Sequence, residues 1–273
     1  MSTITRTPEL HPAAGLPTRI SLSDTLSQTM TMAWRATLKM RRNFEQFFDV
    51  TIQPLLFTAM FAYIFGGAVS GDVSSYLPIL IPGLIAQTVL TACVATGVQL
   101  REDMDKGVFD RFRVLPISRI APLAGPMVAD TIRYAIAASL TFATGIAMGY
   151  RPGGGFGGVA AAVVLAIIAG WSLAWVFTWF GTVGKSAQVV QGYSLMVMFP
   201  LTFLSNAFVP ASTLPDWLQA FVKVNPISQL VSSVRGLMTG GPVAGHVGWT
   251  LLWMAGLLVV FAPLAVRAYR RRA

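Results

Sequence analysis

Long apolar runs, separated by short polar or charged joins, make up most of the chain from residue 47 onward. A run of about 20 apolar residues is long enough to cross the hydrocarbon core of a bilayer as a helix. The pattern predicts spans at about 47–69, 77–100, 123–149, 156–183, 187–208 and 247–267. The joins contain turn-forming residues, as in "GGAVSGD" and "RPGGGFGG". We therefore predict an all-α integral membrane protein with six transmembrane helices.

Composition and charge agree with this pattern. The chain is 54% hydrophobic and 11% charged, whereas a soluble domain carries roughly 25% charged residues. The net charge of +9 comes largely from Lys and Arg within the first 45 residues, in the join at 101–119 and after residue 266. Positive residues mark the cytoplasmic side of a membrane protein, so both termini and that join are expected in the cytoplasm. This explanation makes nucleic acid an unnecessary partner.

A helical pattern precedes the first span. The apolar stripe of this segment contains Leu26, Met30 and Ala33, and the basic residues Arg35 and Lys39 lie off it. The stripe predicts an amphipathic helix over residues 21–45 that lies on the inner membrane surface. A leader helix without membrane contact is the alternative. We expect residues 1–20 to form a disordered tail and residues 46–273 to form the transmembrane domain.

The stretch between the fifth and sixth spans is too long for a plain loop. Apolar residues recur at helical spacing on both sides of Asn225-Pro226, where Asn suits a helix N-cap and Pro the first helical position. Two short amphipathic helices predict an external re-entrant hairpin, which we call the lid; two helices lying flat on the outer surface are the alternative. The residues assigned to the lid are Asn206, Trp217, Phe221, Asn225 and Pro226. Asn206, at the outer end of the fifth span, is expected to form hydrogen bonds with the backbone of the bend at Asn225-Pro226.

Polar residues inside the spans need a physical reason. Asp130 and Arg133 stand three positions apart in the third span, where they can pair, with Glu102 as a candidate third member. An ion pair near the membrane surface that only anchors the helix is the alternative.

Spans two and five carry most uncharged polar groups, which either hydrogen-bond between helices or line a pathway. The candidate pathway residues are Gln87, Thr91, Tyr193, Met196, Phe199 and Phe203.

The segment "EDMDKGVFDRFRVLPISR" at 102–119 concentrates charge between two apolar runs. Together with "LSNAFVPASTLPDWLQAFVKVNPISQLVSSVRGL" before the last span, it resembles type-2 permease subunits of ATP-binding-cassette exporters, the group that includes daunorubicin-resistance permeases. The resemblance extends from about residue 21 to the end of the chain. It implies that the charged segment and the amphipathic helix rest on a separate ATP-binding subunit. The i, i+4 pairs Glu102–Lys106 and Lys106–Asp110 predict a short cytoplasmic coupling helix in this segment, which Pro116 would end. The expected coupling residues are Glu102, Lys106, Gly107, Asp110, Arg111, Arg113, Pro116 and Arg119.

The resemblance also implies the assembly and the activity. We expect a non-enzymatic permease of the cytoplasmic membrane, with a second permease chain, identical or not, and two ATP-binding subunits. ATP and Mg²⁺ would bind those subunits, and this chain would bind no cofactor or metal. The substrate would be a hydrophobic or amphipathic drug or a lipid. The phosphate-loop candidate "GKS" at 184–186 fails because Trp179 stands where the motif needs glycine.

Two other classes of function remain open. One is an intramembrane enzyme that modifies lipids, with Asp130 or Glu102 as acid or base, although the sequence contains no convergent polar constellation. The other is an ATP-independent channel or scramblase.

Overall fold

The computed structural model describes residues 21–42, 44–108, 118 and 121–272, and these residues form helices and no strand. The predicted tail, residues 1–20, lies outside the described residues. The helices are α1 Leu22–Arg42, α2 Phe44–Ser70, α3 Val73–Asp105, α4 Ala121–Ala147, α5 Gly155–Val183, α6 Ala187–Phe203, α7 Asp216–Val224, α8 Pro226–Thr239 and α9 Ala244–Arg272. A short 3₁₀ turn, Ala211–Thr213, separates α6 from α7.

The predicted spans coincide with α2 to α6 and α9. Within the described residues, four helical stretches are long and apolar enough to cross a membrane: Thr51–Ser70, Val73–Asp105, Gly155–Val183 and Ala244–Tyr269. These stretches make the chain a multi-pass membrane protein. Helix α6 has 17 residues, which is short against the roughly 20 needed to span. The count of six spans stays a prediction.

Helix α3 is the centre of the bundle. It packs against α2, α4, α5, α6 and α8. Small residues allow the closest of these contacts, because a Cβ added to Gly97 would lie 2.2 Å from the carbonyl oxygen of Phe177 on α5. Such close approach of two backbones is how helices pack tightly in a membrane. By contrast, most of the apolar stretches of α2 and α9 remain uncovered by protein, as expected of lipid-facing helices.

Helix α1, Leu22–Arg42, lies within the segment predicted as an amphipathic helix, and only part of its apolar stripe is buried. Ala33 is buried, and α1 packs mainly against α4, where a Cβ on Gly125 would lie 2.3 Å from Met32 Cβ. Leu26 and Met30 remain exposed and lie in line with Trp34. The stripe is therefore shared between the bundle and the surface. Spacing alone does not show which residues of a helix a neighbouring helix will cover.

Candidate functional site

The charged segment begins as the last turn of α3. The helix continues to Asp105, beyond the predicted end of the span, and Gly107 follows with a φ of +65°. Lys106 Nζ lies 3.5 Å from Glu102 Oε2, and Arg101 pairs with Asp105. Within the described residues, these i, i+4 pairs belong to the end of α3. The remaining predicted coupling residues lie outside the described residues: Asp110, Arg111, Arg113, Pro116 and Arg119.

Two contacts connect this end of α3 and the start of α4 to helix α1. Lys39 Nζ lies 2.8 Å from Asp103 Oδ1. The backbone N–H of Ser118 donates to Gln28 Oε1 at 2.7 Å. Helix α1 therefore contacts both the last turn of α3 and Ser118, which precedes α4. This places together the two parts that the sequence assigned to the ATP-binding partner.

A buried ion pair lies in the bundle where α3 meets α4. Arg133 Nη2 is 2.9 Å from Asp130 Oδ1, and both residues are buried. The same guanidinium donates to the carbonyl of Ala92 at 2.6 Å and to Thr96 Oγ1 at 3.3 Å, and the Thr96 hydroxyl donates to Asp130. The expected third member, Glu102, is not part of the pair; it lies near Lys106. Thr96 takes that place because it lies deeper in α3, opposite α4.

The proposed pathway residues of α6 lie on the surface of the single chain. Tyr193, Met196, Phe199 and Phe203 are 53%, 77%, 61% and 49% exposed. On the neighbouring helix α3, Thr91 is exposed and accepts a hydrogen bond from the Gln87 amide at 3.4 Å. The Gln87 side-chain oxygen is buried without a partner. Among the described residues, these groups therefore do not enclose a cavity, and a second molecule or lipid could cover them.

A row of phenylalanine rings extends the α6 surface to α2. The rings of Phe199 and Phe203 stack with centroids 4.3 Å apart, and Phe203 lies 5.7 Å from Phe208. Phe208 in turn stacks on Phe61 of α2 at 4.7 Å, and Phe61 lies 5.9 Å from Phe57. Sequence reasoning missed this connection. The spacing within α2 places Phe57 and Phe61 together, but no local signal relates them to α6.

The predicted hairpin consists of α7 and α8, joined at Asn225. The Asn225 side chain accepts from the N–H of Ile227 at 2.9 Å, which caps α8, and donates to the carbonyls of Leu201 at 2.7 Å and Leu204 at 3.3 Å. The bend is thus fixed to the end of α6 by Asn225 itself. The expected contact from Asn206 to the bend is wrong, because Asn206 donates to Ser232 Oγ at 2.9 Å.

The two hairpin helices differ in burial. Helix α8 packs against α3, α5 and α9, and Leu230 is 2% exposed. Helix α7 contacts α8 through the buried residues Leu218 and Val222, and it leaves Trp217 and Phe221 exposed. Only the second helix therefore belongs to the bundle core. The exposed aromatic side chains of the first suit the interface between lipid and water.

Arg235 on α8 is a residue that was not among the candidate site residues predicted from the sequence. Its Nη2 donates to the carbonyl of Ile79 on α3 at 3.1 Å and to the carbonyl of Asn206 at 2.8 Å. Its Nε is buried without a partner. Arg235 lies on the otherwise apolar side of a predicted amphipathic helix, next to Val231 and Val234. This position is the signal that could have identified it.

Similarity to known proteins extends along most of the chain. Residues 27–239 match the ABC-2 type transporter family. The chain is 39% identical over 247 residues to the daunorubicin resistance ABC transporter permease protein of Streptomyces coeruleorubidus, covering 90% of this chain and 87% of the relative. It is 27% identical over 250 residues to a probable doxorubicin resistance ABC transporter permease protein of Mycobacterium tuberculosis, covering 90% and 89%.

Proposed function

Because the chain belongs to the ABC-2 type transporter family, we propose that it is the permease subunit of an exporter driven by ATP hydrolysis on a separate subunit. The single observation that carries this proposal is the similarity along nearly the whole chain to drug-resistance permeases. The proposed substrate is a hydrophobic or amphipathic compound, either a drug or a lipid. The relatives named for daunorubicin and doxorubicin resistance favour a drug.

The proposed contact with the ATP-binding subunit is the surface formed by α1, the last turn of α3 and the segment up to Ser118. Lys39–Asp103 and the bond from Ser118 to Gln28 support this assignment, because a force on one part of the surface reaches both α3 and α4. Movement of a docked partner would then tilt α3, which touches five other helices. In this proposal both termini are cytoplasmic, and the hairpin lies on the outer side of the inner membrane. The partner holds ATP and Mg²⁺, and this chain supplies no catalytic residue.

The proposed pathway lies between two permease chains. Each chain would contribute the exposed face of α6, with Phe57 and Phe61 of α2 continuing the aromatic row. Aromatic rings and Met offer large, polarizable surfaces that a flat apolar ligand can contact without demanding a fixed orientation. The exposed hydroxyl of Thr91 and the half-buried amide of Gln87 would bind the polar part of an amphipathic substrate. Two ATP-binding subunits would complete the assembly.

The enzyme alternative loses support from the arrangement of its candidate residues. Asp130 is buried against Arg133 and Thr96, and Glu102 lies on a different part of α3 beside Lys106. An acid and a base that act on one substrate must converge on it within hydrogen-bond reach. These two carboxylates each have other partners and do not face a common cavity.

The experiment that tests the function is reconstitution with a candidate ATP-binding-cassette subunit. The permease and that subunit are co-purified, placed in liposomes, and ATP turnover is measured with and without a planar aromatic drug such as daunorubicin. We expect the drug to stimulate ATP turnover severalfold and to accumulate inside those vesicles whose ATP-binding subunits face outward. A partner variant that binds but cannot hydrolyse ATP is the control.

Drug movement of equal rate with the control partner would mean an ATP-independent channel or scramblase. Failure of any ATP-binding subunit to co-purify would contradict the proposed assembly.

A further inference from the structure

The side chain of Arg235 joins three separate segments of the chain at the hairpin end of the bundle. It starts on α8 and donates to a carbonyl of α3 at Ile79 and to a carbonyl of the loop after α6 at Asn206. The described part of the chain offers it no carboxylate at ion-pair distance. A guanidinium in this setting is held by backbone carbonyls alone.

The loop that follows α6 also packs directly against α3 near Ile79. A Cβ on Gly83 would lie 2.0 Å from the carbonyl oxygen of Ala207, so the two backbones are in contact. The Tyr76 hydroxyl donates to the carbonyl of Phe208 at 2.7 Å. Arg235 adds α8 to this junction, and it is the charged group that holds the second hairpin helix against α3.

Helix α3 is weakened where Arg235 attaches. Pro82 has no N–H, so the carbonyl of Pro78 lacks the donor that a regular helix would supply. Proline inside a helix is also the commonest cause of a kink. Ile79, the acceptor for Arg235, stands between these two prolines. The guanidinium therefore attaches to α3 at the point where the helix bends most easily.

As far as the structure describes the chain, Arg235 is bound by carbonyl groups and not by a carboxylate, and this makes its attachment to α3 and to the loop after α6 reversible. A buried ion pair that separates leaves an uncompensated charge behind. When Arg235 leaves its two carbonyl acceptors, no uncompensated charge stays behind in the protein. The charge of the contact belongs to the arginine, which moves toward water. Hydrogen bonds from a charged donor are still about twice as strong as neutral ones. The contact is thus strong while closed but leaves no buried ion behind when it opens.

We propose that Arg235 is the latch of the outer end: it holds α8 and the loop after α6 against α3 in the closed state, and it leaves the carbonyls of Ile79 and Asn206 when the outer end opens. The proposal rests on the proposed function as an exporter, since it assigns Arg235 a position in the transport cycle. Arg235 is a positioning residue, because its contacts are with the protein and not with the transported compound.

Accessibility of a buried position on α8, seven residues before Arg235 in the sequence, tests this directly. Ser228 on α8 is 1% exposed and its hydroxyl has no hydrogen-bond partner, so Ser228→Cys is a conservative probe. The native Cys93 is first replaced by alanine. A membrane-impermeant maleimide is applied from outside, and labelling rates are compared with a probe at the exposed Ser212. Neither ATP nor a substrate is needed for this measurement.

We expect Arg235→Gln to raise the labelling rate at the Ser228 probe on the order of tenfold, as two charge-assisted hydrogen bonds become neutral or are lost. The matched control is Lys223→Gln, which removes the same charge from an exposed position on α7 and should leave the rate unchanged. An unchanged rate in the Arg235 variant, or an equal rise with the Lys223 control, would overturn the latch.

If Arg235→Gln fails to fold, Arg235→Lys replaces it. Lysine keeps the charge without the planar fork that spans two carbonyls, so its rate should be intermediate, and a wild-type rate would overturn the latch.

A second arm separates the latch from the proposed function. In the complex with the ATP-binding subunit and wild-type Arg235, trapping the ATP-bound state should raise labelling of the Ser228 probe. An effect of Arg235→Gln without any effect of ATP would overturn the role in the cycle, even if drug export is confirmed. Failure of drug-stimulated ATP turnover would instead count against the exporter function, whatever the labelling shows.

Discussion

The buried pair of Asp130 and Arg133 offers a quantitative test of how α3 and α4 are held together. Replacing Arg133 by Met keeps most of the side-chain volume but leaves Asp130 with only the Thr96 hydroxyl as a partner. Removing one partner of a buried ion pair costs about 3–5 kcal/mol, and an uncompensated charge at a helix centre in the membrane costs about 2.5–3.5 kcal/mol. We therefore expect Arg133→Met to destabilise the protein by about 3 kcal/mol.

The double variant Arg133→Met with Asp130→Ala should be more stable than Arg133→Met alone. It removes the uncompensated carboxylate, and apolar replacements of a buried pair are often close to neutral. The free energy of unfolding is measured for the wild type, for Arg133→Met, for Asp130→Ala and for the double variant. Each protein is titrated from dodecyl maltoside into sodium dodecyl sulfate. The pair Arg101–Asp105, at the end of α3 and partly exposed, is the control; its coupling energy should be about 0.2–1 kcal/mol.

The prediction is contradicted if the double variant loses as much free energy of unfolding as the two single variants lose together. Independent sites add within roughly 0.3–0.5 kcal/mol. Asp130 and Arg133 would then not stabilise each other. A coupling energy no larger than that of Arg101–Asp105 would mean that the site is solvated, as in the alternative of a pair that anchors the helix near the membrane surface.

Two further predictions concern the coupling surface and the pathway. Gly107→Leu places a side chain at a φ of +65°, which costs roughly 1–2 kcal/mol of backbone strain, and it should reduce export per ATP hydrolysed. Gly71→Leu, at the opposite end of α3 with a φ of +82°, carries the same strain, and an equal loss of export there would assign the effect to strain alone. Phe199→Ala should raise the drug concentration needed for half-maximal stimulation of ATP turnover severalfold. Phe156→Ala, which truncates another exposed ring, should not, and an equal effect of both would remove Phe199 from the pathway.

Helix positions and the bend between α7 and α8 were predictable because their causes are local. Hydrophobic runs indicated α2 to α6 and α9, and helix formation depends on residues within a few turns. Asn225 caps α8 as predicted, because the cap bond joins it to Ile227 two positions away. The pairing of Asp130 with Arg133 is also an i, i+3 relation on one helix. Charge distribution and the two quoted motifs were enough to indicate the family.

Only the tertiary structure decided which residues meet across helices. Thr96 rather than Glu102 completes the ion pair, Asn225 rather than Asn206 binds the end of α6, and Arg235 attaches to α3. Each of these contacts depends on the rotation of a helix about its axis and on its depth in the bundle. A shift of one residue turns a side chain by about 100°, since a helix has 3.6 residues per turn. Amphipathic spacing restricts that rotation weakly when most of a helix is apolar, so packing at small residues such as Gly97 and Gly83 sets it instead.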